Sequence, residues 1–106
     1  MSMHSYVLGM KNDDILKALA HPVRLQIVHW LKNPDEYFSD QEHSLELGVC
    51  AGMFARCGLS QSAVSAHLGV LQKAELVTTR RVGQWIYYKR NEEMIARFMQ
   101  NLTEEI

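Results

Sequence analysis

The stretch Gly58-Leu59-Ser60-Gln61-Ser62-Ala63-Val64-Ser65-Ala66-His67-Leu68-Gly69-Val70-Leu71 decides how this chain folds. Gly58 suits the left-handed position after a helix end, and Gly58-Leu59-Ser60 reads as a short turn. Ser60 or Gln61 then opens a helix that runs to about Lys73. Val64, Leu68 and Leu71 recur at helical spacing and form its buried stripe. Upstream, a helix is predicted from about Leu45 to Arg56, with Val49, Cys50, Met53, Phe54 and Cys57 on one side. Two helices joined by a glycine-containing turn of this length make a helix-turn-helix, here over about residues 45–73.

Downstream the pattern changes. Leu76–Arg81 and Gln84–Lys89 are rich in β-branched and aromatic residues. Val82-Gly83 lies between them, and Gly83 can take the positive φ of a tight hairpin. A basic hairpin straight after the second helix, over about residues 76–90, makes a wing. From Asn91 the helical period returns, with Met94, Ile95, Phe98, Met99 and Leu102 as an apolar stripe to about residue 104. Towards the N-terminus, Asn12-Asp13-Asp14 supplies a cap and two first-turn acids for a short helix over about residues 12–20. His21-Pro22 interrupts it, and proline suits the first position of a second helix to about Lys32. Leu25, Ile27, Val28 and Leu31 are predicted to face inward from it. Asn33-Pro34 stops that helix, and the acidic, aperiodic stretch from Asp35 to Ser44 reads as a loop. The order helix, helix, helix, turn, helix, hairpin, helix gives a mainly α (α+β) winged helix-turn-helix, one domain over residues 1–106.

Composition agrees with one small globular domain: 106 residues, 47% apolar and 22% charged. No stretch approaches the roughly 20 apolar residues of a membrane span. The first residues lack a basic cluster followed by an apolar run, so no secretion signal is expected and the cytoplasm is the predicted location. Charge is divided unevenly. Residues 61–90 carry Lys73, Arg80, Arg81, Lys89 and Arg90 against Glu75, whereas both flanks are acidic on balance. That asymmetry points to a polyanion for this segment alone; its plain alternative is a run of solvated charges. No nucleophile, base and orienting group fall into one set, and there is no glycine-rich phosphate loop or metal triad. An enzyme is therefore not expected, nor is a cofactor.

Three runs in this order resemble one family. They are Leu16-Lys17-Ala18-Leu19-Ala20-His21-Pro22-Val23-Arg24-Leu25-Gln26-Ile27, the Gly58–Leu71 stretch, and Leu76-Val77-Thr78-Thr79-Arg80-Arg81-Val82-Gly83-Gln84-Trp85-Ile86-Tyr87-Tyr88. Together they are similar to the ArsR/SmtB bacterial transcriptional repressors, over about residues 12–103. The resemblance implies a homodimer, paired through the first and last helices, that binds a promoter and leaves it when an inducer arrives. Two-fold symmetry predicts an inverted-repeat operator in double-stranded DNA. The alternative is a winged helix that has lost DNA binding and serves as a protein-interaction module.

The residues fit a DNA reader on their own terms. The N-terminal part of the second helix of such a motif lies nearest the base edges. Here that part holds Gln61, Ser62, Ala63, Ser65 and Ala66. Glutamine pairs bidentately with adenine, serine contacts several bases, and alanine touches the thymine methyl. Gln61 and Ser62 have a second reading as helix caps. His67 adjoins the buried stripe, so a packed, hydrogen-bonded ring and a DNA contact are equal readings. Arg80, Arg81 and Gln84 surround the hairpin tip, where cations lie along phosphates or the minor groove. Lys89 and Arg90, at the far end, are weaker candidates.

A sensor is harder to find. The resemblance implies either a Cys-x-Cys-x-x-Cys cluster at the start of the helix-turn-helix or Asp and His ligands on the last helix, and the sequence has neither. Cys50 and Cys57 are seven apart, roughly 10 Å along an α-helix. That exceeds the reach of a disulfide or of one shared metal. They read either as small core hydrophobes or as a redox thiol or a site completed by the partner subunit. Asp40, Glu42 and His43 match no metal motif. His4, His21 and His29 are too dispersed to ligate together.

Overall fold

His21 and Pro22 separate the first two helices, as their chemistry predicts. The computed structural model describes residues 12–42 and 44–106, with only the backbone of Arg56 and Cys57. Helix α1 covers residues 12–19 and α2 covers Pro22–Lys32. The His21 imidazole caps α2, its Nδ1 accepting the Val23 N–H at 3.1 Å. Ile27, Val28 and Leu31 are buried as expected, but Leu25 is 54% exposed. Leu25 stands two residues from Ile27, about 200° around the helix, so the two cannot share a face.

The acidic stretch after α2 is not a loop throughout. Pro34–Phe38 forms a short helix, α3. Pro34 at its first turn and the acids Asp35 and Glu36 beside it suit a helix start. Phe38 closes the helix fully buried, with its ring 6.0 Å and perpendicular to Trp30 and 5.4 Å from Phe54.

The helix predicted from Leu45 to Arg56 is also replaced. A 3-10 turn at Leu45–Leu47 leads to the short strand β1, Val49–Cys50, and then to a 3-10 helix at Ala51–Cys57. Gly48 breaks the run at φ 113°, ψ −169°, a region essentially confined to glycine. The Gln41 amide then closes the outer edge of β1. Its Oε1 accepts the Cys50 N–H at 2.8 Å and its Nε2 donates to the Gly48 carbonyl at 3.1 Å. The Cys50–Cys57 spacing is therefore not two α-helical turns. A Cβ at Gly48 would lie 2.7 Å from the Tyr88 carbonyl oxygen. Gly48→Ala is expected to lower stability by about 1–3 kcal/mol. The measurement is the urea midpoint at unchanged slope.

Helix α4, Gln61–Lys73, buries Val64, Leu68 and Leu71. Its end is a Schellman turn: the Leu76 N–H bonds the Leu71 carbonyl and the Glu75 N–H bonds the Gln72 carbonyl, with Glu75 at φ 61°. Strands β2, Val77–Val82, and β3, Trp85–Arg90, follow. Val82 pairs with Trp85, so Gly83 and Gln84 form the turn, one residue later than the composition suggests. Gly83 has φ 63° and Gln84 does not have a positive φ, the pattern of a type II′ hairpin. The sheet order is β1-β3-β2, all antiparallel, with Val49 opposite Tyr88 and Cys50 opposite Tyr87.

Asn91 joins the wing to the last helix, α5, Glu92–Glu105. Its Oδ1 accepts the Met94 N–H at 3.2 Å, and its Nδ2 donates to the Glu75 carbonyl at 3.0 Å. Of the α5 stripe only Phe98 is buried; Met99 is 53% exposed. Ile15 and Ala18 of α1 join Ile27, Val28, Leu31, Phe38, Val49, Phe54, Val64, Leu68, Leu71, Val77 and Phe98 in one core. The result is a winged helix-turn-helix. Among the described residues no helix is long and apolar enough to cross a membrane.

Candidate nucleic-acid interface

Ser60, not Gln61 or Ser62, caps α4. Its Oγ accepts the Ala63 N–H at 3.2 Å and lies 3.2 Å from the Ser62 hydroxyl. The cap leaves the Gln61 amide available for other partners. Gln61, Ser62, Ser65 and Ala66 are exposed, and Ala63 is half-buried. Apart from Gln61 these side chains are small, so the helix backbone can come close to a groove floor.

His67 is placed differently. It is half-buried, 3.2 Å from the Arg24 guanidinium, with its ring 4.4 Å from that of His21. Of the two readings open in the sequence, the packed and hydrogen-bonded one describes its position in the free protein.

The wing carries its cations on both faces. Arg80 stands opposite Tyr87 and Arg81 opposite Ile86, and successive residues of a strand alternate sides. Both arginines and Gln84 are exposed. The Arg81 Nε donates to the Gly83 carbonyl at 3.1 Å, which folds that guanidinium back along the tip. Lys89 is exposed, whereas Arg90 is held by Glu92 in a two-point ion pair at 2.9 and 3.0 Å. Val82, Trp85 and Ile86 add an apolar tip at 41%, 43% and 39% exposure. The sequence reading missed this tip. Its signal was the failure of strict alternation through Trp85-Ile86-Tyr87-Tyr88, where a half-buried strand would show polar residues at every second place.

Only some of the sensor candidates lie among the described residues. Cys50 is half-buried beside the Gln41 clasp. The Cys57 side chain, His4 and His43 lie outside the described residues. His29 is bonded to the Tyr37 hydroxyl at 3.3 Å. Among the described residues no three His, Cys, Asp or Glu side chains are grouped to hold a metal ion.

No family model matches the chain. Individual proteins do. An uncharacterized HTH-type transcriptional regulator, YbzH of Bacillus subtilis (strain 168), is 37% identical over 92% of this chain and 100% of its own length. A putative arsenical resistance operon repressor, ArsR2 of Halobacterium salinarum, is 35% identical over 74% of this chain and 57% of its own length. Among solved structures, NolR from Sinorhizobium fredii superposes with a TM-score of 0.64 at 30% identity, over 98% of this chain and 92% of that one.

Proposed function

We propose, from the premise that this chain belongs to the ArsR/SmtB family of winged helix-turn-helix transcriptional regulators, that two copies act together as a repressor on an inverted-repeat operator. The chain is a DNA-binding regulator of transcription. The observation that carries the finer reading is one of shared exposure. Gln61, Ser62, Ser65 and Ala66 on α4 and Arg80, Arg81 and Gln84 on the wing directly after it are all open to a ligand. The α4 residues read base edges in a major groove and the wing arginines hold phosphates or the adjacent minor groove. His67 stands behind them, packed against Arg24 and His21 rather than open to a ligand.

Pairing of two chains is supported by apolar surface that one chain leaves uncovered. Leu16 on α1 is 47% exposed and Met99 on α5 is 53% exposed, beside half-buried Ile95 and Leu102. A two-fold axis through these helices sets two copies of α4 about one DNA turn apart, roughly 34 Å. An inducer of unidentified chemistry, or oxidation of Cys50 or Cys57, releases the operator.

The test is fluorescence anisotropy with the DNA upstream of the protein's own gene, at two salt concentrations. Affinity should fall steeply with salt, by a log–log slope of about −0.9 per phosphate contact. Gln61→Ala combined with Arg81→Ala should cost several-fold or more in affinity while the dimer stays folded. An absence of saturable, salt-dependent binding would favour a protein-interaction module instead.

A further inference from the structure

Arg24 joins three helices at one guanidinium. Its Nε donates to the Ala18 carbonyl at 2.6 Å and its Nη2 to the Lys17 carbonyl at 3.2 Å. These are carbonyls at the end of α1, where a helix leaves its acceptors without intrahelical donors. The Nη1 lies 3.2 Å from Nδ1 of His67, on α4. A guanidinium only donates. Nδ1 of His67 is therefore the acceptor, and the imidazole is neutral with its proton on Nε2. The His21 ring packs against His67 at 4.4 Å, tilted by 48°, while its own Nδ1 caps α2. One cation and two rings thus connect the end of α1, the start of α2 and the middle of α4.

We propose that Arg24 and His67 are a positioning pair that holds the DNA-reading helix α4 in register with α1, and that the pair lets go when His67 takes a proton. The proposal rests on the DNA-binding reading above. It gives α1, one of the two helices assigned to dimer contact, a direct mechanical connection to the helix assigned to the groove. Protonation places an N–H where Arg24 needs a lone pair and sets two cations at hydrogen-bond distance.

The surroundings do not offset that charge. His21 faces the ring from the turn before α2 and brings no negative charge. Among the described residues, Asp14 and Lys17 of α1 and Lys73 of α4 share with Arg24 a shallow cavity of about 270 Å³. Of these cavity residues only Asp14 is acidic, and Lys17 is paired with Asp13 at 3.0 Å. Burial first, then His21 and Arg24, hold the His67 imidazole below its ordinary value of 6.5. A group neutral in the fold at a pH where it would be charged in the unfolded chain costs stability there. The contribution of the pair is thus complete above pH 6.5 and is lost as the pH falls from there through the lower value that His67 has in the fold.

The sign of the pH effect on DNA binding separates positioning from contact. A His67 that touched phosphate would strengthen binding on acidification. A His67 that positions α4 weakens it. The experiment is anisotropy with the same upstream DNA from pH 8.0 to 5.5 at constant ionic strength, on the wild type, His67→Gln and His67→Ala. Glutamine offers Arg24 an acceptor oxygen and does not titrate. Wild-type affinity should fall several-fold, and by less than about tenfold, between pH 7.5 and 5.5, because a ring that titrates below 6.5 gains less than one pH unit of coupled protonation by pH 5.5. His67→Gln should bind like the wild type at pH 7.5 and keep that affinity at pH 5.5, while His67→Ala should be weak at both. A rise on acidification in the wild type, or an equal fall in wild type and His67→Gln, overturns the proposal. Proton NMR of the wild-type His67 ring without DNA tests the pair independently. Titration below 6.5 is expected, and titration at or above it overturns the pairing. An absence of DNA binding at every pH would overturn the DNA-binding reading, and the NMR titration still decides the pair.

Discussion

Arg80→Glu combined with Arg81→Glu is expected to weaken operator binding by at least about 100-fold near 0.1 M salt, and to flatten its log–log salt dependence by about 3–4 units. The slope follows from counting. In the proposed two-chain complex, two wing cations per chain would neutralise four phosphates, each contributing about 0.9 to the slope. The affinity loss exceeds that of simple neutralisation because each new carboxylate repels the phosphate it replaces a contact to. Both arginines are exposed, and the hydrogen bond from Arg81 to the Gly83 carbonyl is on the surface. Thermal stability should therefore move by no more than about 0.5 kcal/mol. Anisotropy over four or five salt concentrations reads both quantities. Weaker binding with an unchanged slope would remove the wing from the phosphate backbone.

The second large effect is on the fold. Phe38→Ala should destabilise the protein by about 3–5 kcal/mol, the range for emptying a buried phenylalanine site. Phe38 has no exposed surface and stands edge-on to Trp30 and Phe54, which in turn meets Tyr88 at 6.2 Å. That chain of rings ties α2 and α3 to the 3-10 helix before α4 and to the middle of β3. A domain of this size has about 5–15 kcal/mol in total, so the loss is a large fraction of it. Urea unfolding of Phe38→Ala against Phe38→Leu measures it, and leucine should recover part of the loss by refilling volume. A change below about 1 kcal/mol would mean that α3 closes over the gap.

Local signals were enough wherever two turns of chain agreed with one another. Val64, Leu68 and Leu71 placed α4, Ser60 capped it, and Pro22 began α2. The glycine in Val82-Gly83-Gln84 marked the hairpin, though not which pair of residues would turn. That choice depends on cross-strand register, which β2 and β3 settle together through Val82 and Trp85. Residues 45–57 misled because Val49, Met53 and Phe54 have helical spacing. The competing partner was Tyr87-Tyr88, far along the chain, whose strand takes Val49 and Cys50 as an edge. Leu25 looks like a core residue in the sequence and stands on the surface.

The candidate site divides along the same line. Gln61, Ser62, Ser65, Ala66, Arg80, Arg81 and Gln84 could be named from the motif, because exposure on a capped helix and at a hairpin tip follows from local pattern. The place of His67 could not. Its partners His21 and Arg24 come from the first quarter of the chain, and nothing in the spacing says that they meet it. The amino-acid order alone determined most of the kinds of element, their sequence and the basic character of one segment, since periodicity, capping and charge act over a few residues. Tertiary structure alone decided the extra strand, the aromatic chain behind it and the Arg24–His67 contact. Each of these joins groups distant along the polypeptide, and their pairing is chosen by the packing of the whole core.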